Sequence, residues 1–214
     1  AGEHSDVEVV TASTHGPGMI HNSVRPVTTS ADLEGLKLRV PGETIGKLAD
    51  SLGATAMFVP FTEVTQVLSS GVADGIFVPY NAVADMSLAK YLPYTTDVPG
   101  GMYNLVFHFA VNKDAWAEIS EEDRQAIMEI SGEAGARMIG RSWDVGDELG
   151  RDYVEAEGVE IVEMTPEFQA EIAAAFEPMK TEWAARAAEL GIDGEAVLSA
   201  FQAEVDALNA ELTN

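Results

Sequence analysis

Arg39 is the residue whose type and setting most suggest selective chemistry. The chain holds seven arginines, Arg25, Arg39, Arg124, Arg137, Arg141, Arg151 and Arg186. The last five fall on predicted helices, where a surface ion pair is the ordinary role. Arg39 instead lies in the apolar run Leu36-Lys37-Leu38-Arg39-Val40, which stops at Pro41-Gly42. A guanidinium at a strand end can fork onto a carboxylate through two parallel hydrogen bonds. An edge-strand arginine paired with a nearby glutamate would leave the same pattern, and on pattern alone the two readings stand level. Phe58, Phe61, Phe77 and Tyr80 lie at neighbouring predicted strand ends. Each alone fits core packing; together with Arg39 they describe a pocket with one charged clamp and apolar walls.

Other chemistries find less material. The histidines are His4, His15, His21 and His108. No two have the spacing that places both imidazoles on one helix face, and no acidic ligand stands close to His15 or His21, so no metal site is assigned. Both belong to the loop around His15-Gly16-Pro17-Gly18 and its exit, where loop hydrogen bonding is the expected role, with one of the two still able to touch a bound ligand. The same stretch lacks the Lys-Ser/Thr ending of a phosphate loop and the third glycine of a dinucleotide fingerprint. There is no Gly-x-Ser-x-Gly elbow and no His-Glu-x-x-His. With 36 Asp and Glu residues, the nearness of two carboxylates proves nothing about hydrolysis. No catalytic residue and no cofactor is assigned.

The elements that must hold Arg39 alternate in type. Val7 to Ala12 is β-rich and stops at the Gly-Pro loop. Ser30 to Leu33 reads as a capped helical turn, and Leu36 to Val40 as a strand. Glu43 to Leu52 carries Ile45, Leu48, Ala49 and Leu52 on one helical face, closed by Gly53. A strand over Ala54–Val59, a helix over Phe61–Ser69 and a strand over Asp74–Val78 follow, then a helix from Pro79 to about Tyr91. This alternation implies right-handed crossovers and a mostly parallel sheet. Ligands of such sheets bind beyond the carboxyl ends of the strands. That rule gathers Arg39, Val59-Pro60-Phe61 and Phe77-Val78-Pro79-Tyr80 at one rim.

The second half reads differently. Met102 to Asn112 is strongly apolar and is expected to be a strand buried on both faces. Ser120 caps a helix that continues to about Glu157, with Gly132, Gly135, Gly140, Gly146 and Gly150 as points of bending. Val159 to Val162 is a short strand. A helix from Pro166 to Leu190 and an amphipathic helix from Gly194 to Leu212 end the chain, the latter aligning Val197, Leu198, Phe201, Val205, Leu208 and Leu212.

Composition narrows the partners. Of 214 residues 46% are apolar, enough for a sizeable core, and 36 acidic against 12 basic residues leave a net charge of −24. Such a surface repels nucleic acid backbones and anionic membranes. There is no cysteine, which excludes thiol chemistry. No run is long and apolar enough for a transmembrane helix. No signal peptide opens the chain, as in an exported protein whose signal has been removed.

Several linked motifs resemble one family. They are Arg25-Pro26-Val27, then Ala31-Asp32-Leu33-Glu34-Gly35-Leu36-Lys37-Leu38-Arg39-Val40-Pro41, Leu52-Gly53-Ala54-Thr55, Phe61-Thr62-Glu63-Val64, Gly71-Val72-Ala73-Asp74-Gly75, Phe109-Ala110-Val111-Asn112-Lys113 and Ile119-Ser120-Glu121-Glu122-Asp123-Arg124. Their order over nearly the whole chain resembles the DctP-like solute-binding proteins of tripartite ATP-independent periplasmic (TRAP) transporters. The resemblance implies an α/β fold of the class II periplasmic binding protein type, with two lobes, mixed sheets and a long inter-lobe helix. Residues 1–16 and 105–144 would belong to lobe I, and residues 17–104 and 145–214 to lobe II with the C-terminal helices. Family members carry about a further hundred residues at the start, so by ordinary domain sizes the chain would be a fragment with an incomplete first lobe.

The resemblance also implies a periplasmic location, no enzymatic activity, a small organic acid as ligand and the TRAP membrane subunits as partners. Arg39 would hold the ligand carboxylate, and Phe61, Phe77, Val78, Pro79, Tyr80 and His15 would shape the pocket. Members often carry an asparagine close before the proline that follows Asp-Gly; here the stretch is Ile76-Phe77-Val78-Pro79-Tyr80. This departure favours a monocarboxylate with an apolar or aromatic body over a sugar acid. A small α/β enzyme acting on a carboxylate, and the ligand-sensing domain of a regulator, are the alternatives.

Overall fold

A computed structural model describes residues 4–212, the side chains of residues 211 and 212 excepted, so the Leu212 side chain lies outside it. The chain divides into two compact units, 1–169 and 170–214.

The first unit begins with β1 (Val7–Thr14) and β2 (Met19–Asn22). A 3-10 turn over Ser30–Leu33 leads to β3 (Lys37–Val40), α1 (Glu43–Ser51) and β4 (Thr55–Phe58). Asp32, the third residue of that turn, reaches back to accept the Thr28 and Thr29 backbone N–H groups at 3.0 and 2.9 Å, completing a capping box with Thr29 as the N-cap. Next come α2 (Val64–Ser69), β5 (Gly75–Val78), α3 (Tyr80–Asp85), β6 (Tyr94–Asp97) and β7 (Val106–Asn112). Then follow α4 (Lys113–Glu118), α5 (Glu121–Glu129), α6 (Gly132–Ala156) and β8 (Glu160–Glu163).

Six strands form one sheet in the order β4-β3-β5-β2-β6-β8. The β4-β3-β5 part is parallel, as the alternating elements require, but β2 runs antiparallel to both β5 and β6. Because β8 runs parallel to β6, five of the six strands point the same way and β2 alone opposes them, so the sheet is mostly parallel, as expected, with one antiparallel strand inserted. Two interior strands, β2 and β6, are not legible as strands in the sequence. Their sequences, Met-Ile-His-Asn and Tyr-Thr-Thr-Asp, lack apolar alternation. They are nevertheless buried because tertiary partners satisfy their polar groups: Thr96 Oγ1 donates to the Val27 carbonyl at 2.7 Å, and His21 is bonded at both ring nitrogens. His21 is thus a sheet-core residue and not a loop residue.

β1 and β7 pair antiparallel in a separate two-stranded sheet. The apolar run expected to be buried on both faces is instead open: Val106 is 68% and Phe109 66% exposed. A run of apolar residues reports the capacity to be covered, not the presence of a covering layer. Two chain segments cross between the sheets, 15–18 and 98–105, and α6 packs against both β1 and α3.

The long helix expected from Ser120 to Glu157 is two helices. Ser120 does cap α5, its Oγ accepting the Asp123 N–H at 3.1 Å. The break falls at Ile130-Ser131, and Gly132 follows with φ 55°, a left-handed conformation that glycine adopts without steric cost. Further along α6, Gly150 lets the helix meet the α3 backbone: a Cβ there would stand 2.5 Å from the Tyr80 carbonyl carbon. The helix expected from Pro79 to Tyr91 also shortens. α3 ends at Asp85, Ser87 takes φ 52°, and a 3-10 turn spans Ala89–Tyr91.

α7 (Pro166–Glu189) spans the division at residues 169 and 170, and α8 (Gly194–Leu212) completes the second unit. Gly191, with φ 75°, closes α7. Gly194 lies against Ala184, whose Cα a Cβ would approach to 2.6 Å. The aligned apolar residues of α8 are largely open, Phe201 being 67% exposed.

Candidate ligand site

A cavity of about 340 Å³ opens beyond the carboxyl ends of β3 and β5 in the first unit. This size is within the range of small-molecule sites. Its wall takes Arg39 and Pro41 from β3 and its exit, Phe61 from the turn after β4, Val78 and Pro79 from the end of β5, and Asn81, Ala82, Asp85 and Met86 from α3 and the residue after it. His15 comes from one crossing segment, Tyr103 and Leu105 from the other, Phe107 from β7 and Trp143 from α6.

Arg39 is 7% exposed. Its Nε donates to the Val59 carbonyl at 3.0 Å, which orients the guanidinium plane. The guanidinium carbon stands 5.5 Å from the centroid of the Phe61 ring, within the reach of a cation–π contact. Among the described residues no carboxylate forms an ion pair with Arg39. Burial pushes its pKa down, with Tyr103 acting weakly the other way; an arginine remains charged even so. The local-glutamate reading therefore fails, and a buried cation faces the cavity without a partner anion.

Opposite chemistry lines the rest. Phe107 and Trp143 stack with centroids 6.0 Å apart and planes at 17°. His15 meets Tyr103 edge-on at 5.1 Å and lies 6.3 Å from Trp143. Ring arrangements of this kind favour an aromatic guest. His15 itself is fully engaged. Its Nε2 accepts the Leu105 N–H at 3.0 Å and its Nδ1 bonds the Gly16 carbonyl, an assignment that places the proton on Nδ1. Asn104 Nδ2 adds bonds to the His15 and Gly16 carbonyls at 2.7 and 3.1 Å. These contacts stitch the two crossing segments together beside the cavity. Tyr103 donates its hydroxyl to the Phe77 carbonyl at 2.9 Å, and burial pushes its pKa up to about 12 against the pull of Arg39.

Of the residues singled out in the sequence, Arg39, Phe61, Val78, Pro79 and His15 come together on this wall. Phe77 and Tyr80 do not line it. Side chains alternate across a strand, so Phe77 points to the opposite face from Val78 and is fully buried there. Tyr80 is turned towards Asp97, to which its hydroxyl donates at 2.6 Å, and Arg151 bonds the same carboxylate at 2.5 Å. Burial first, then that hydrogen bond, raises the Tyr80 pKa. Phe58 is 62% exposed and outside the lining. Tyr103, Phe107, Trp143, Asn81 and Asp85 were not singled out; nothing in their local spacing separates them from core or surface residues, and the fold alone converges them.

Asp147 on α6 braces the wall from behind. One carboxylate oxygen accepts the Asn81 N–H at 2.9 Å, tying α6 to the start of α3. Burial raises its pKa, opposed by that hydrogen bond and by His15, with Asp144 adding to the rise. Among the described residues no three His, Asp or Glu side chains gather to hold a metal, and no helix is long and apolar enough to cross a membrane.

The family model for bacterial extracellular solute-binding proteins, family 7, matches residues 3–187. A TRAP periplasmic solute-binding protein from Bordetella bronchiseptica, solved with bound (R)- and (S)-mandelate, is 32% identical with a TM-score of 0.90, covering 97% of this chain and 66% of its own. A marine-metagenome TRAP solute-binding protein specific for aromatic acid ligands, solved with metahydroxyphenylacetate, is 31% identical with a TM-score of 0.86, covering 92% and 63%. One from Chromohalobacter salexigens with bound d-glucuronate is 26% identical with a TM-score of 0.76, covering 87% and 60%. The chain spans 44–61% of the length of three curated relatives that it matches.

Proposed function

The chain belongs to family 7 of the bacterial extracellular solute-binding proteins, the TRAP solute-binding proteins, and from that premise we propose that it receives a small monocarboxylate with an aromatic or otherwise apolar body. The observation that carries this reading is the buried Arg39 guanidinium, lacking a carboxylate partner among the described residues, in a cavity otherwise walled mostly by rings and aliphatic side chains. The ligand carboxylate takes the two terminal nitrogens of Arg39 while Val59 holds Nε. The ring lies among Phe61, Tyr103, Phe107 and Trp143. A sugar acid would leave several hydroxyls against this apolar wall, at a desolvation cost for each that stays unbonded. The similarity to structures holding mandelate and metahydroxyphenylacetate supports the reading.

The two sheets, joined by the crossing segments at His15 and Asn104 and by α6, serve as parts of two lobes that close on the ligand by hinge motion. The closed form is delivered in the periplasm to the TRAP membrane subunits. The relatives are transport proteins, which gives the enzyme alternative no support. Calorimetric titration with benzoate, mandelate and glucuronate tests the proposal. The aromatic acids are expected to bind and glucuronate to bind at least tenfold more weakly; a glucuronate-only response overturns it.

A further inference from the structure

The polar groups of the cavity are few, and most are already committed. Both ring nitrogens of His15 are bonded, and the Tyr103 hydroxyl is given to the Phe77 carbonyl. What remains among the lining side chains is the terminal guanidinium of Arg39, the indole N–H of Trp143, and Asn81 with Asp85 on α3. Asn81 and Asp85 stand one helical turn apart, joined by a weak 3.4 Å bond from Asn81 Nδ2 to Asp85 Oδ2. The buried Asn81 Oδ1 has no donor. Together with Trp143, these two residues also line a second cavity of about 450 Å³ between α3 and α6, of which Arg39 is not a part. The acceptors thus line both cavities, whereas the cation lines only the first.

We infer that this Asn81–Asp85 pair selects, within the aromatic monocarboxylates, ligands whose ring carries a hydroxyl on the side away from the carboxylate. The inference rests on the reading proposed above. A carboxylate is an acceptor only, so Asp85 welcomes a hydroxyl hydrogen and repels a second ligand carboxylate. Asn81 is tied to Asp85 by its weak bond, and both line the second cavity as well as the first, so that space can take the substituent. Discrimination works in both directions: a hydroxylated ring gains a charge-assisted hydrogen bond, and a dicarboxylate meets a like charge. The site therefore matches a ligand with an anion at one end and a donor at the other.

The test is calorimetry on this chain with benzoate, the three hydroxybenzoates and the three benzenedicarboxylates. At least one hydroxybenzoate is expected to bind tenfold or more tightly than benzoate, and every dicarboxylate more weakly than benzoate. Asp85 is exposed on its helix, so Asp85→Asn leaves the fold in place, and the ratio of hydroxybenzoate to benzoate affinity is the readout. The substitution brings the favoured hydroxybenzoate to within threefold of benzoate and relaxes the bias against dicarboxylates. Asn81→Ala gives a smaller loss in the same direction. If benzoate binds as well as every hydroxybenzoate, or if the preference survives both substitutions, the inference is overturned while the monocarboxylate reading stands. If none of the monocarboxylates binds, that reading falls and this one with it.

Discussion

Replacing Arg39 by lysine separates charge from geometry at the centre of the site. The guanidinium is held by two contacts in a buried setting: Val59 bonds Nε at 3.0 Å, the Phe61 ring centroid stands 5.5 Å away, and only 7% of the residue is exposed. Its terminal nitrogens are thus pre-oriented, and little side-chain entropy is lost when a carboxylate arrives. A lysine keeps the charge but offers a point donor on a flexible stem, so it loses one of two parallel hydrogen bonds and the bond to Val59. Hydrogen bonds to charged groups contribute about 1.5–3 kcal/mol, so Arg39→Lys is expected to weaken an aromatic monocarboxylate by about 2 kcal/mol, roughly 30-fold. Arg39→Ala also strands the ligand carboxylate in an apolar cavity, with a loss of about 4 kcal/mol, roughly a thousandfold. Calorimetry near pH 7 measures both, with thermal melts of the unliganded variants to show that the fold persists. A lysine variant within threefold of the parent would refute the fork, and an unaffected alanine variant would refute any ligand role for Arg39.

Stability should depend on pH through His21. Burial lowers its pKa from 6.5 to about 4, so between those values the unfolded chain binds the extra proton; the contribution is complete above pH 6.5 and is lost on acidification towards pH 4, by about 3 kcal/mol. Urea unfolding at several pH values is expected to show His21→Gln with a shallower acid loss than the parent, and equal slopes would remove His21 as the cause. The glycines of α6 should respond with opposite signs. Gly140 has nothing within 4 Å of a built Cβ, whereas Gly150 faces the Tyr80 and Asn81 backbone at 2.5–2.6 Å. Gly140→Ala is expected to stabilise by up to about 1 kcal/mol, and Gly150→Ala to destabilise by about 1–3 kcal/mol. Denaturant midpoints that move the same way for both would contradict the packing described between α6 and α3.

The difference between legible and illegible features follows from the range of the forces involved. Local signals place β3, α1, β4 and β5, because a four-residue apolar run, a helical stripe closed by Gly53 and a capped turn at Asp32 are each decided within a few residues. The rule that ligands gather beyond parallel strand ends then brings Arg39, Phe61, Val78 and Pro79 to one wall through the order of the elements alone. The polar strands β2 and β6 escape, since His21 and Thr95 are buried only because each meets the other across the sheet.

By itself the sequence determined an acidic, cysteine-free α/β chain, the strand ends that carry the arginine, and the family resemblance of its motifs. Tertiary structure alone decided that no carboxylate among the described residues neutralises Arg39, that Phe77 and Tyr80 face away from the cavity, and that Tyr103, Phe107 and Trp143 line it. The reason is physical. Backbone preference acts between neighbours along the chain, whereas the walls of a cavity are made by residues far apart in sequence, brought together only when helices and strands pack.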